Sequence, residues 1–152
     1  MKIPKVIGIY VSIFMILISV SGCVWFTYHY DFGQEVDNIV SIDICRYQHS
    51  EQCPEMTVIC TLDASQTEQF VADIAALDSY KYFGDFSRTF DGIVVYITYK
   101  NGEGEVLSAF TTADVDSSGT WYVRTDNFDK KDFYSIILKY VDSSLVPELE
   151  GM

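Results

Sequence analysis

Residues 93–112 read IVVYITYKNGEGEVLSAFTT, and this stretch decides the fold class. Two runs rich in β-branched and aromatic residues, 93–99 and 105–112, flank the polar tetrapeptide KNGE at 100–103. Such runs are typical of β-strands, and the Asn-Gly pair between them supplies the two positive-φ residues of a tight primed turn. The sequence therefore predicts a β-hairpin.

A two-residue turn at Asn-Gly also predicts the register of this hairpin. It would place Ile97 opposite Val106 and Ile93 opposite Phe110. Both faces of the hairpin would then carry apolar side chains. We therefore expect the hairpin to lie at the centre of a sheet, with both faces covered.

Three further segments read as strands. Segment 39–47 (IVSIDICRY) and segment 56–62 (MTVICTL) both alternate between apolar and polar residues, which is typical of half-buried strands. The residues predicted to face the core are Val40, Ile42 and Ile44 in the first segment and Met56, Val58, Cys60 and Leu62 in the second. Segment 120–125 (TWYVRT) predicts another strand.

Two segments carry helical periodicity. The first begins at Ser65, which with Glu68 matches a capping box, and continues with an apolar stripe that ends near 78–79. The stripe consists of Phe70, Ile74 and Leu77. The second has apolar residues at positions 133, 136, 137, 140 and 141, and Asp129 is its predicted N-cap.

This order of elements predicts an α+β fold, in which an antiparallel sheet of about five strands has two helices packed on one face. The predicted domain covers residues 39–142. We expect residues 24–38 to form a tether before it and residues 143–152 to form a flexible acidic tail. This overall arrangement is similar to that of small envelope-anchored domains of Gram-positive bacteria, and the resemblance implies no active site.

The first 23 residues, MKIPKVIGIYVSIFMILISVSGC, have the layout of an export signal: two lysines, a 15-residue uncharged run and small residues before Cys23. The ending Val-Ser-Gly-Cys resembles the lipobox of bacterial lipoproteins. The resemblance covers the signal alone and implies a lipid anchor on Cys23, with fatty acyl chains such as palmitate, and cleavage before it. The two lysines favour a cytoplasmic N-terminus. We therefore expect the rest of the chain outside the cytoplasm, on the cell membrane.

The residues after Cys23 allow a second interpretation of the leader. Val24, Trp25 and Phe26 extend the apolar run to 21 residues, which is long enough to span a bilayer uncleaved. The alternative is thus a single-pass membrane anchor reaching to about residue 30. Both interpretations place the domain on the same side of the membrane.

Charge is distributed unevenly along the chain, which has 22 acidic and 10 basic side chains. Lys2 and Lys5 precede Cys23, so the part after Cys23 has 8 basic and 22 acidic residues, a formal charge of 8 − 22 = −14. Such a surface repels nucleic acid and anionic lipid headgroups. Solubility at a crowded cell surface is the favoured explanation for this charge, and binding to a basic protein or to cations is the alternative.

Three cysteines remain in the exported part. Strand phase places Cys60 on an apolar face and Cys45 on a polar one, which argues against a disulfide between these two residues. Cys53 lies in a polar loop and could pair with Cys45, which would leave Cys60 as an inert core thiol. Three free thiols are the alternative.

Segment 114–119 (DVDSSG) matches the first half of a calcium-binding loop. Asp114, Asp116 and Ser118 would supply alternating oxygen ligands before the glycine bend. The EF-hand loop has a bidentate Glu where this chain has Thr125, and the flanking residues read as strands. A β-turn explains the same residues, since Asp, Ser and Gly favour turns.

The sequence contains no G-x-S-x-G, H-E-x-x-H or phosphate-binding glycine motif. The leading prediction is therefore a non-catalytic acidic domain that binds a protein partner, of the inhibitor or immunity type, with no cofactor beyond the lipid. The alternatives are a small envelope hydrolase and a calcium-dependent binding module that uses Asp114 and Asp116. The strand aromatics Tyr96, Tyr99, Trp121 and Tyr122 are expected to be core residues rather than a binding surface.

Overall fold

The computed structural model describes residues 27–48, 55–81, 92–124 and 126–149. The lipobox, Cys23 and Cys53 lie outside the described residues. Nine strands and two α-helices occur in the described part, together with 3-10 turns at Val36–Asn38, Ser143–Leu145 and Pro147–Leu149. In chain order they are β1 (Thr27–His29), β2 (Ile39–Gln48), β3 (Glu55–Thr61), α1 (Ala64–Ala75), β4 (Asp78–Lys81), β5 (Gly92–Tyr99), β6 (Gly104–Leu107), β7 (Thr112–Val115), β8 (Trp121–Arg124), β9 (Asp126–Phe128) and α2 (Lys130–Ile137).

These strands form two antiparallel sheets. The larger has six strands in the order β3-β2-β5-β6-β7-β8, and the smaller has three in the order β1-β4-β9. The α+β class and the antiparallel pairing are confirmed, whereas the single five-stranded sheet is replaced by these two. Among the described residues, no helix is long and apolar enough to cross a membrane.

The predicted hairpin forms, but its register is one residue away from the prediction. The amide of Tyr99 donates to the Glu103 carbonyl and the amide of Gly102 donates to the Tyr99 carbonyl, so the loop has three residues. Within this loop only Gly102 has a positive φ, 82°, which is the geometry of a type I turn followed by a glycine bulge. Ile97 consequently lies opposite Glu105 rather than Val106. A one-residue shift turns every side chain to the other face, so Glu105 faces the core.

The predicted strand 105–112 is divided in two. The Ser108 amide donates to the Thr111 carbonyl, and the Ser108 hydroxyl accepts from the amides of Phe110 and Thr111. This serine-stabilised turn ends β6 and reverses the chain into β7. The second hairpin, β7–β8, repeats the glycine-bulge loop, with Gly119 at φ 83°.

Bulges also change which residues of β2 and β3 reach the core. Ile42 and Ile44 are buried as predicted, but Val40 falls at a register shift between Ile39 and Ser41 and is exposed. A second shift, at Ile44/Cys45, moves the first part of β3 to the other face of the sheet. The prediction was therefore wrong for Val40 and for two β3 residues, Met56 and Val58, which are exposed.

The capping box of helix α1 lies two residues earlier than predicted. The Asp63 carboxylate accepts from the Gln66 amide, and the Gln66 side chain accepts from the Asp63 amide, so this pair forms the box in place of Ser65 and Glu68. The helix ends at Ala75, and Asp78 and Ser79 belong to β4. The predicted N-cap of α2, Asp129, is confirmed.

The six-stranded sheet buries both of its faces. Its main face packs with both helices and with Phe128 of β9 into one large core. The second face holds a smaller apolar cluster that contains Cys45, Val94 and Val106. The rings of Tyr47 in β2 and Trp121 in β8 lie 5.6 Å apart across this face, although β5, β6 and β7 separate their strands. Four strand spacings span about 19 Å in a flat sheet, so the sheet is strongly curled around the second cluster.

Parts of the predicted tether and tail pack against the domain. Thr27–His29 pair with β4, and Tyr30 is buried in the main core. At the other end, Val146 and Leu149 are buried in the same core. Both segments contain apolar side chains between polar ones, but too few to give a periodic signal in the sequence. Burial of these apolar side chains in the main core holds both segments against the domain.

Candidate functional site

A cavity of about 320 Å³ opens where the loops of the two hairpins meet residues 33–34. This volume lies at the lower end of the range for ligand pockets, about 300–1,000 Å³. The cavity is lined by Gly33, Gln34, Tyr99, Glu103, Gly104, Glu105, Asp114, Val115, Asp116, Tyr122 and Arg124.

Glu105 lies at the bottom of this cavity and is 2% exposed. One carboxylate oxygen accepts from the Gly33 amide, and the other accepts from the Tyr30 hydroxyl at 3.0 Å. The Arg124 guanidinium lies 3.8 Å from the carboxylate. Burial raises the pKa of Glu105, and these donors oppose the rise without cancelling it. We refer to Glu105, Tyr30, Gly33 and Arg124 as the Glu105 cluster.

Arg124 is already paired on several sides. Its Nε lies 2.7 Å from Asp126 and its Nη1 lies 3.3 Å from Asp114. The guanidinium also stacks over the Tyr30 ring, 5.2 Å from its centroid. Burial alone would lower the pKa of Arg124, but the surrounding tyrosine and carboxylates raise it, so the charge is permanent. Because three carboxylates surround this cation, it has little capacity left to attract an anion.

Tyr99 contributes a buried polar group to the cavity. The residue is 2% exposed and lines the cavity, and its hydroxyl faces the Glu105 carboxylate, with which it interacts. Burial and the neighbouring Glu105 carboxylate raise its pKa, so the hydroxyl stays protonated. Tyr99 therefore belongs with the buried groups around Glu105 at the floor of the cavity.

Three carboxylates, those of Glu103, Asp114 and Asp116, surround the opening, and we call them the acidic mouth. The Asp114 side chain is 51% exposed. Asp116 is partly exposed, and hydrogen bonds from Ser118 and Thr120 lower its pKa to about 2. With Glu105 below, four carboxylates line a cavity that contains one arginine.

The segment 114–119 forms a hairpin loop rather than a cage of oxygen ligands. One Asp116 oxygen accepts from the amides of Ser118 and Thr120 and from the Ser118 hydroxyl, whereas Asp114 pairs with Arg124. In the part of the chain that the structure describes, no group of three His, Cys, Asp or Glu residues could hold a metal ion. The turn explanation of this motif is therefore favoured, and calcium binding stays a prediction.

Cys45 and Cys60 are free and lie on opposite faces of the large sheet, as strand phase predicted. Cys45 is fully buried, however, on a face that was expected to be polar. Burial, aided by the Asp43 carboxylate, raises the pKa of Cys45 to about 12, so this thiol is inert. Cys60 is partly buried against the main core. Pairing of Cys45 with Cys53 involves a residue outside the described ranges and stays a prediction.

The strand aromatics divide between core and surface. Tyr99 is buried and Tyr96 is partly buried, whereas Trp121 and Tyr122 of β8 are exposed, so the core prediction was wrong for those two. The Glu105 cluster was missed entirely. The one signal that could have identified it is a glutamate in phase with Ile97, which appears only in the three-residue register.

Comparison of the chain with family models, with curated protein sequences and with solved structures found no match.

Proposed function

We propose that this chain is an exported, membrane-anchored protein whose domain binds a basic protein partner, and that a cationic side chain of the partner enters the cavity. The observation that carries the proposal is the convergence of four carboxylates on a cavity whose single cation is already neutralised. The formal charge of −14 after Cys23 would also steer a basic partner towards the domain.

The chemistry of the cavity favours a lysine or arginine side chain as the bound group. The acidic mouth offers acceptors, and the exposed Tyr122 ring offers an aromatic face for a cation. A cavity of about 320 Å³ suits a group of side-chain size. The cost of burying a cation is offset by the carboxylates around it.

The contacts of Glu105 favour binding over catalysis. Both of its oxygens accept hydrogen bonds from within the fold, and Arg124 holds the same carboxylate. A general acid or base must instead be free to reach a substrate proton. The buried carboxylate is therefore best understood as a structural group that positions the loop at Gly33.

Membrane attachment can be tested by mass spectrometry of the purified full chain. Lipidation predicts a product that begins at Cys23 and carries acyl mass, and Cys23→Ala should lose both the acyl mass and the cleavage. A membrane-bound product with an intact Met1 and no acyl mass would support the uncleaved anchor. A full-length, acyl-free product found soluble inside cells would contradict both forms of the proposal.

Partner binding can be tested by site-specific photo-crosslinking on intact cells. A photoreactive residue at Ser117, in the loop beside the acidic mouth, should trap one discrete basic protein. The same residue at Glu68, exposed on α1, is the matched control and should not trap it. Glu103→Gln combined with Asp116→Asn should abolish the Ser117 product. Identical products from both positions, or an acidic product, would contradict the proposal.

A further inference from the structure

The β8 strand forms one edge of the six-stranded sheet, and β7 is its only neighbour in the described part of the chain. Three consecutive side chains on this edge are exposed: Trp121 by 36%, Tyr122 by 56% and Val123 by 61%. Sheet edges in monomeric proteins usually carry charges, prolines or a covering element that prevents strand addition. Residues 121–123 have no charge and no proline.

The hydrogen-bond pattern shows which backbone groups of β8 face outwards. The Asp116 amide donates to the Thr120 carbonyl, so Asp116 and Thr120 form a hydrogen-bonded pair. Antiparallel ladders alternate between bonded and non-bonded pairs, so Tyr122 and Arg124 direct their backbone groups to β7. Trp121 and Val123 therefore direct both N–H and C=O away from the sheet.

The two sides of this edge differ in chemistry. Tyr122 lies on the side of the cavity, and its hydroxyl donates to Asp116 at 3.1 Å. Trp121 and Val123 lie on the opposite side, in phase with the apolar residues Val115 and Ala113. A strand placed beside β8 would alternate its side chains between an acidic surface and an apolar one.

We propose that β8 is a docking edge, to which the basic partner adds an extended segment whose side chains alternate between long cations and apolar groups. The proposal rests on the proposed function and names the form in which the partner binds. The backbone of the segment pairs with Trp121 and Val123, its cations extend over Tyr122 to the acidic mouth, and its apolar side chains pack on Trp121 and Val123.

Geometry and charge select this occupant. The added strand lies two strand spacings, about 10 Å, from β7, which carries Asp114. Arginine and lysine side chains have the reach to cover most of that distance, and shorter side chains do not. A second copy of this chain would bring two acidic mouths and two charges of −14 together, which is unfavourable.

The test uses the full chain in detergent micelles and a fluorescent seven-residue peptide that alternates Arg and Val. Two further peptides carry N-methyl groups on all Arg residues or on all Val residues. In an added strand, only one of these sets of amides points to β8. We therefore expect one methylated peptide to bind at least about tenfold more weakly and the other to bind nearly as well as the parent.

The matching protein variant is Val123→Pro, which removes an outward amide without breaking the ladder to β7. Prolines are tolerated on edge strands at such positions. We expect at least about tenfold weaker peptide binding, whereas Val123→Thr should bind like the unmodified chain. Circular dichroism and thermal unfolding establish that each variant is folded. Protection of the Trp121 and Val123 amides from hydrogen exchange when peptide binds is a second readout that needs no substitution.

The outcomes distinguish the two proposals. Equal binding of both methylated peptides, with binding still lost in Glu103→Gln/Asp116→Asn, would overturn strand addition and leave the cation site standing. Absence of binding, or binding unaffected by those neutralised charges, would overturn the proposed function as well. A concentration-dependent dimer that disappears in Val123→Pro would overturn the assigned occupant, because a second copy would then use the edge.

Discussion

The Glu105 cluster and the acidic mouth belong to one cavity and contain the same chemical groups, yet their surroundings differ. Glu105 is buried and accepts hydrogen bonds from Gly33 and Tyr30, so its carboxylate is saturated by the fold. The mouth is more open to solvent: Glu103 is exposed and the Asp114 side chain is 51% exposed, whereas Asp116 is partly exposed and is held by hydrogen bonds from its own turn. Burial thus separates two roles: the floor of the cavity positions groups within the domain, and the mouth is where we propose that a partner binds.

The largest difference should appear when carboxylates of the two regions are removed. Glu105→Ala leaves the Tyr30 hydroxyl and the Gly33 amide without an acceptor and takes one carboxylate from Arg124. Arg124 keeps Asp114 and Asp126, so the main cost is that of the two donors left without an acceptor, about 1–3 kcal/mol of unfolding free energy each. Glu103→Ala, on the exposed mouth, should change it by less than about 0.5 kcal/mol. Urea unfolding of the two variants measures both values, and equal effects would contradict the assigned difference between the buried and the exposed carboxylate.

A methyl group next to the buried carboxylate should have the next largest effect. A Cβ at Gly33 would collide with a Glu105 oxygen, and that side chain is held by its other partners. We expect Gly33→Ala to destabilise the domain by about 1–3 kcal/mol, the usual cost of overpacking. The neighbouring Gln34→Ala is the control and should be nearly neutral. A stable Gly33→Ala would show that the loop at Gly33 is not fixed by Glu105.

The two regions should also respond to pH with opposite signs. Burial raises the pKa of Glu105, so the folded state holds that proton more tightly than the unfolded chain does. Its contribution to stability is therefore fully present below the ordinary value of 4.5 and is lost as pH rises through the raised value. The pKa of Asp116 falls from 3.8 to about 2, so its contribution is present above 3.8 and is lost as pH falls towards 2.

Unfolding curves across this pH range, compared with those of matched amides, test the signs. The stability difference between the unmodified chain and Glu105→Gln should shrink as pH rises. The difference between the unmodified chain and Asp116→Asn should instead grow between about pH 2 and pH 4. If both stability differences changed with pH in the same direction, the environments assigned to Glu105 and Asp116 would be contradicted.

The smallest expected effect concerns calcium. Asp116 is engaged by its own turn and Asp114 by Arg124, so the mouth does not present a ready set of ligands. We expect the thermal midpoint of the full chain to be unchanged by millimolar calcium or by EDTA. A calcium-dependent increase that disappears in Asp114→Asn would support the calcium-loop alternative instead.

Sequence periodicity predicted the fold class and most of the elements because burial on one face leaves a repeated pattern. Periodicity failed where a bulge or a loop longer by one residue changes which face of the sheet the following side chains occupy. The Asn-Gly pair fits both a two-residue and a three-residue loop, and the choice between them decides whether Val106 or Glu105 lies opposite Ile97. The bulge at Val40 reverses the phase of its strand in the same way.

The candidate site could not be predicted from the sequence, for a related physical reason. Tyr30 and Glu105 are 75 residues apart in the chain, and the strands of Glu105 and Arg124 are separated by β7, so only tertiary packing brings the three together. Part of the acidic mouth was predicted, because the spacing of Asp114 and Asp116 in the sequence identified them as candidate ligands. Their partners were not, because a turn motif does not reveal which charged side chain lies on the adjacent strand.

The most direct test of the account is the affinity of the alternating Arg-Val peptide for the full chain, measured by fluorescence anisotropy at low salt. We expect Glu103→Gln/Asp116→Asn to weaken binding at least about tenfold. Glu68→Gln, which removes a distant surface charge, should leave it nearly unchanged. Equal affinities in the unmodified chain and both variants would contradict the claim that the cavity mouth binds a cationic partner.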